Sequence, residues 1–161
     1  MPKDFVHHYH SPLVGWLELR ASDDGIHAVD FVGKPSRPTN GTSHPLLAKL
    51  VAELDKYFAG GLAKFTLPVT PKGGTPFQRR VWSELLRIPY GQTASYGEIA
   101  ERIGKPLASR AVGSANGANC IPILIPCHRV VRSDGGLGGF GSGTHIKKRL
   151  LDLEGARGRW S

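Results

Sequence analysis

Apolar and polar positions follow a strand-like spacing at the start of the chain and then switch to a helical one. Phe5–Tyr9, Val14–Arg20, Ile26–Val32 and Lys64–Val69 are short β-rich runs, separated by Ser11-Pro12, Asp23-Asp24-Gly25 and Gly60-Gly61. Before the fourth run, Leu46, Leu47, Leu50, Val51, Leu54, Tyr57 and Phe58 keep helical spacing and make one apolar face. Strands joined by tight turns, then a helix, then a further strand predict an antiparallel sheet with a helix packed on it. That unit, an α/β scaffold, is expected over 1–70. The Pro- and Gly-rich stretch from Pro68 to Pro76 predicts a boundary, with 71–76 as linker and 77–161 as a mostly helical second domain. The fold class is thus mixed α/β, of the α+β kind.

In the second domain Phe77, Val81, Leu85 and Ile88 define a helix that stops near Pro89-Tyr90-Gly91. Ser95 opens the next with a capping box, its hydroxyl matched by Glu98 three residues on. Tyr96, Ile99, Ala100 and Ile103 are its buried or site-facing residues, and Gly104-Lys105-Pro106 breaks it. A third helix is expected from Leu107 to Asn116. Two short helices across a Gly-containing turn form the pattern of a helix-turn-helix, which any helical hairpin also shows. The composition of the third helix sharpens the reading. Ala108, Ser109, Ala111, Gly113, Ser114 and Ala115 leave one face almost without side chains, and Arg110 is its only long cationic arm. A core-packing helix would show more than Val112, so this one is expected to face nucleic acid. A last helix from Thr144 is basic at Lys147, Lys148 and Arg149, apolar at Ile146, Leu150, Leu151 and Leu153, and ends at Glu154-Gly155. A glutamate near a helix C-terminus opposes the dipole, so something else must justify it.

Charge changes the picture of what this chain meets. The formal net charge is +8 over 161 residues. Residues 1–73 carry a net +1 and residues 74–161 a net +7, the footprint of a polyanion partner, most often nucleic acid. There is no run of eighteen apolar residues, and Met1-Pro2-Lys3-Asp4 is no signal peptide, so no membrane association is expected. The two cysteines, Cys120 and Cys127, form no CxxC and no zinc spacing, which fits a reducing, cytoplasmic setting. His7, His8 and His10 invite a metal reading. On a strand, however, 8 and 10 share a face while 7 points away, and no fourth ligand lies nearby, so no metal is expected.

The chemistry concentrates in Pro122-Ile123-Leu124-Ile125-Pro126-Cys127-His128-Arg129-Val130-Val131. It reads as a short apolar strand ending on Pro126, after which a cysteine, a histidine and an arginine follow in succession. A thiol is the intrinsic nucleophile, yet an unperturbed cysteine is only about 3% thiolate at pH 7. A neighbouring imidazole that takes the proton is the usual remedy. Adjacent residues in extended chain point oppositely, which favours an indirect link between His128 and Cys127. Beyond them, Asp134 to Gly143 holds six glycines in ten residues, a backbone able to pass close to a flat ligand.

Pro126-Cys127-His128-Arg129-Val130, preceded by Asn119 and the Ile-Leu-Ile run, resembles the methylated-DNA–protein-cysteine methyltransferases, the O6-alkylguanine-DNA alkyltransferases. The resemblance extends through Phe77–Trp82, Ile88–Gly91, Ser95–Ala100, Arg110–Gly113 and Leu150–Gly155, and so covers the chain from Thr75 to Gly155. It implies repair by direct reversal. The alkyl group of an O6-alkylguanine, with O4-alkylthymine as a second candidate, passes once and irreversibly to Cys127 after the base is flipped out. His128 and Glu154 would form the proton relay, usually with a water between histidine and sulfur, and Asn119 and Tyr96 would complete the catalytic set. Tyr96 would also rotate the 3′ phosphate and contact the extruded base. Val130, Phe140 and Gly141 would bind the guanine, and Cys127 and Val130 would accept from its exocyclic amine. Arg110 would fill the gap in the base stack, while Ser95, Ala108, Ser109, Gly113 and Ser114 would approach the minor groove of double-stranded DNA. The resemblance implies no cofactor, and a monomer that can assemble cooperatively on DNA. Phe140 stands where many relatives carry tyrosine, Gly141 where others carry serine, and Cys120 where proline is common. Two rivals are a lesion-binding helix-turn-helix protein without transfer, and a cysteine hydrolase.

Overall fold

The computed structural model describes residues 4–40 and 43–160. The opening Met1-Pro2-Lys3, read above as no leader, lies outside them. The chain forms two compact units that divide between Lys72 and Gly73.

In the first unit β1 (Phe5–Ser11), β2 (Gly15–Ser22) and β3 (Gly25–Val32) make an antiparallel sheet in chain order. The registers pair Phe5 with Ala21 and Ser11 with Gly15, then Trp16 with Val32 and Ser22 with Gly25. Leu17, Leu19 and Ala21 alternate along β2 and are fully buried, as a strand with one covered face requires. The helix α1 (Pro45–Phe58) packs on the sheet through Leu47, Leu50, Leu54 and Tyr57.

The fourth expected strand, Lys64–Val69, does not form. Val69 makes only an isolated parallel bridge to Ile26, through Ile26 N–H to Pro68 O at 2.9 Å and Thr70 N–H to Ile26 O at 2.8 Å. Pro68 has no N–H to extend a ladder. Upstream, the buried carboxylate of Glu53 takes both the N–H and the hydroxyl of Thr66, at 2.9 and 2.6 Å. The segment is tied down by a side chain rather than by a neighbouring strand.

Among the described residues, the second unit is built of four α-helices, a 3₁₀ turn and one two-rung ladder. α2 (Pro76–Leu85) starts one residue earlier than its apolar spacing implies, because Thr75 and Gln78 close a full capping box with Pro76 at the first helical position. Its Trp82 indole donates to Ala115 O at 2.8 Å, fixing α2 on the helix that follows the turn. β4 (Ala94–Ser95) pairs in parallel with β5 (Val130–Val131) and leads directly into α3 (Tyr96–Arg102). Ser95 caps α3 by accepting from Glu98 N–H at 3.0 Å. The Glu98 carboxylate reaches forward to Arg102 at 3.6 Å. α4 (Ser109–Gly117) begins two residues later than expected, leaving Leu107 fully exposed in the turn. α5 (Thr144–Leu153) closes the unit. Val81, Leu85, Ile99, Val112, Ile121, Val130 and Leu150 form its core.

The apolar run before the cysteine is not a strand. Ile123 has φ 74°, and Ile125 N–H donates back to Ile121 O at 2.9 Å, so the chain coils into a buried turn. Pro122 and Pro126 deprive the run of two ladder donors. Asn119 supplies partners in their place, accepting from Ile121 N–H at 3.0 Å and donating to Ile125 O at 2.8 Å.

Candidate active site

Cys127, His128 and Arg129 form a single 3₁₀ turn between that coil and β5, and all three are buried. The turn is held from α4, where the Asn116 amide donates to Cys127 O at 3.1 Å. Asn116 lies four residues after the buried Val112, a spacing that places it on the inner face of the helix.

His128 Nε2 lies 2.8 Å from Glu154 Oε2, and both side chains are fully buried. His128 Nδ1 is also buried and makes no hydrogen bond among the described residues. Burial pushes the Cys127 thiol up, against the Asn119 side-chain hydrogen bond and the Lys147 charge, which pull it down. Burial likewise pushes His128 down, against its bond to Glu154. The resting pair is therefore a neutral thiol beside a neutral imidazole. Burial would raise Glu154, but His128 and Arg129 together hold it down to about 2, so it stays ionised. This answers the question raised by a carboxylate at the C-cap of α5: two side chains from the cysteine turn justify it.

Tyr96, the first residue of α3, is half-buried. Burial raises its hydroxyl, as does the neighbouring Cys127, while a hydrogen bond from the Gly139 backbone opposes them. Its ring faces Gly113 of α4, where an added Cβ would sit 3.9 Å away. An open cleft of about 350 Å³ is lined by Tyr96, Gly97, Ser109, Arg110, Gly113 and Arg132. Arg110, Ala111 and Ser114 are exposed on α4, and Ala108 and Ser109 are half-exposed. Ser95, expected at the DNA face, is buried with its hydroxyl engaged as the helix cap. Val130 O accepts from Lys147 Nζ at 2.6 Å, Phe140 is half-buried, and Gly141 is exposed.

Three residues of this region were not assigned a role from sequence: Asn116, Arg129 and Lys147. Lys147 is the clearest case. It precedes Leu150 and Leu151 by three and four positions, so helical spacing alone puts it on their buried face.

The second unit is thus a helix-turn-helix protein carrying a buried thiol, imidazole and carboxylate. Two family descriptions match it and its neighbour: "6-O-methylguanine DNA methyltransferase, DNA binding domain" over residues 76–156, and the "ribonuclease-like domain" of the same proteins over 5–71. A methylated-DNA–protein-cysteine methyltransferase of Mycobacterium leprae is 50% identical over 133 residues, spanning 80% of this chain and 78% of the relative. One from Methanosarcina acetivorans is 43% identical over 152 residues, 92% of this chain and 96% of the relative. The crystal structure of Mycobacterium tuberculosis OGT in complex with DNA superposes with a TM-score of 0.81 at 42% identity, covering 92% of this chain and 91% of that one. The chain belongs to the methylated-DNA–protein-cysteine methyltransferase family.

Proposed function

We propose that this protein repairs DNA by moving the alkyl group of an O6-alkylguanine onto the sulfur of Cys127. Family membership supplies the reaction class, alkyl transfer from DNA to a protein cysteine; the residue roles are our reading. The observation that carries it is the buried His128, the chain neighbour of Cys127, bound through Nε2 by an ionised Glu154 and left with Nδ1 unbonded among the described residues.

A damaged base inside a duplex is shielded by its neighbours, so the reaction requires extrusion, at a cost of a few kcal/mol. The small-residue face of α4 enters the minor groove. Arg110, exposed on that face, fills the vacated stack, and Tyr96, which lines the same cleft, holds the rotated phosphate. The Cys127 proton passes to His128 Nδ1 through a water, and Glu154 balances the imidazolium that forms. The sulfur lone pair attacks the alkyl carbon in line, and the carbon–O6 bond breaks with its electrons staying on oxygen. Guanine leaves as it takes a proton, with the Tyr96 hydroxyl as donor. A thioether is too stable for any nearby group to cleave, so each molecule acts once. The first unit serves as scaffold, and Cys120 and Cys127 are both thiols rather than halves of a disulfide, as the cytoplasm would keep them.

Intact-protein mass spectrometry after incubation with a duplex carrying one O6-methylguanine tests this. The expected result is a gain of one methyl mass, mapped to the Cys127 peptide and saturating at one per protein. Cys127→Ser should abolish the gain while retaining the lesion duplex, and Cys120→Ser should leave it unchanged. Tight retention of the duplex by the native protein without any mass gain would make this a lesion-binding protein instead.

A further inference from the structure

Arg132 lines the same cleft as Tyr96 and Arg110, and the alkyl transfer itself makes no use of it. Its place there follows from the ladder of β4 and β5. Ala94 pairs with Val130 and Ser95 with Val131 in parallel, so Tyr96 and Arg132 are the next residue on each strand. The last rung sets the two chains about 5 Å apart, and the tyrosine and the arginine leave it side by side.

In the free protein the Arg132 side chain is 63% exposed, and its Nη2 lies 2.9 Å from Oδ2 of Asp134, itself 49% exposed. A solvent-exposed pair of this kind is weak. A phosphate offers the guanidinium fork two acceptor oxygens in the same geometry as a carboxylate. The backbone beneath the pair is held independently of it. Arg132 N–H donates to Gly136 O at 2.9 Å, Gly135 N–H to Arg132 O at 3.0 Å, and Gly136 N–H to Asp134 Oδ1 at 2.8 Å. Arg159 braces the turn from the C-terminal side, Nη1 donating to Asp134 O at 2.9 Å and N–H to Gly135 O at 3.2 Å. The guanidinium can therefore change partners while its anchor, the opening of the glycine-rich loop, stays in place.

We propose that Arg132 is a DNA-binding residue, which leaves Asp134 to grip the phosphate on the 3′ side of the extruded nucleotide, the one that Tyr96 rotates. Asp134 occupies the guanidinium until a duplex arrives. The proposal rests on the function proposed above for what the cleft holds. Arg110, on the same cleft, goes into the base stack, which leaves Arg132 as the cleft's cation for the backbone.

The test uses duplexes with one O6-methylguanine and either an ordinary phosphate or a neutral methylphosphonate at that 3′ position. Mass spectrometry reads the apparent second-order rate constant for methyl transfer. Arg132→Gln should lower it by roughly tenfold on the ordinary duplex, the worth of a charged hydrogen bond. On the methylphosphonate duplex the loss should stay within about twofold, because the two changes remove one interaction. Asp134→Asn keeps an oxygen for Gly136 N–H but releases the guanidinium, so it should raise the constant by about two- to threefold. Equal losses for Arg132→Gln on the two duplexes would overturn the proposal, as would no loss on either. A fall in Asp134→Asn as large as that in Arg132→Gln would make the pair a brace for the loop and reject the exchange of partners. Should Arg132→Gln not fold, Arg132→Lys, which keeps the charge without the fork, decides by the same comparison: a loss confined to the ordinary duplex supports the grip, and equal losses reject it. A native protein that gains no methyl mass would refute the proposed function instead. The salt dependence of lesion-duplex binding then judges Arg132 alone: losing one phosphate contact should flatten the slope of log affinity against log salt by about 0.9, and an unchanged slope would reject the grip.

Discussion

Arg129 grips Glu154 with two prongs, Nε to Oε1 at 2.8 Å and Nη2 to Oε2 at 3.1 Å, and the second of those oxygens also holds His128. The remaining guanidinium nitrogen donates to Ile88 O at 2.8 Å. One arginine thus ties the cysteine turn to the end of α5 and to the loop after α2. The carboxylate that orients the imidazole is itself oriented, and its charge is matched by the guanidinium.

Removing the arginine leaves a buried carboxylate without its cationic partner, held only by its hydrogen bond to the neutral His128. Arg129→Met is expected to cost about 3–5 kcal/mol, lowering the thermal midpoint by more than about 10 °C in a unit of this size. Differential scanning calorimetry reads this directly. A drop as small as that of an exposed substitution such as Arg87→Met would mean that the pair contributes little.

Acid should act through the same cluster. Glu154 is held at about 2 when folded and returns to an ordinary value of about 4.3 when unfolded. Its contribution is therefore complete above that ordinary value and is lost as pH falls toward 2. His128, which burial pushes down, adds a loss in the same direction below its unfolded value of about 6.5. Urea titrations at pH 7, 5 and 3 should show falling stability, and Glu154→Gln should flatten the portion below about pH 4.5.

Arg110→Ala separates extrusion from chemistry. The side chain is exposed on α4 beside the cleft. Losing it should slow methyl transfer from duplex DNA by roughly ten- to a hundredfold, the worth of one to three kcal/mol of base-flipping support. Reaction with free O6-benzylguanine should stay within about twofold, since no base has to leave a stack. Equal losses on both substrates would remove Arg110 from the extrusion step.

Gly138→Ala probes the loop against Tyr96. A Cβ there would need a left-handed backbone and would clash with the tyrosine hydroxyl. The loop must shift, and single-turnover transfer should slow by about tenfold or more, because displacements near 1 Å are felt at a reacting centre. Duplex affinity, measured by fluorescence anisotropy, should hold, since α4 is untouched.

Where the sequence was legible, one local signal and one global need agreed. The three strands were legible as short β-rich runs set off by turn residues, and α5 shows its apolar stripe because it closes a core. Ser95 was recognisable as a cap because the hydroxyl and the helix start lie within four residues. The failures have a common cause. Ile121 to Ile125 is apolar throughout, and a buried turn satisfied by Asn119 leaves the same trace as a buried strand. Lys64 to Val69 looked like a strand because the partner that replaces its ladder, Glu53, is far off in the chain. Arg129 and Lys147 carried charges that composition assigns to the surface, and only contacts across the fold bring them inside.

The ladder of β4 and β5 has just two rungs, Ala94 with Val130 and Ser95 with Val131. It joins the residue before Tyr96 to the residues just past Cys127, bypassing both helices that lie between them in the chain. The spacing of tyrosine and sulfur is thus inherited from a short bridge and not accumulated along the intervening backbone. Insertions, deletions and sequence drift in the turn between α3 and α4 can reshape how the protein grips its duplex, over evolutionary time or in a laboratory library, while the reaction coordinate keeps its alignment.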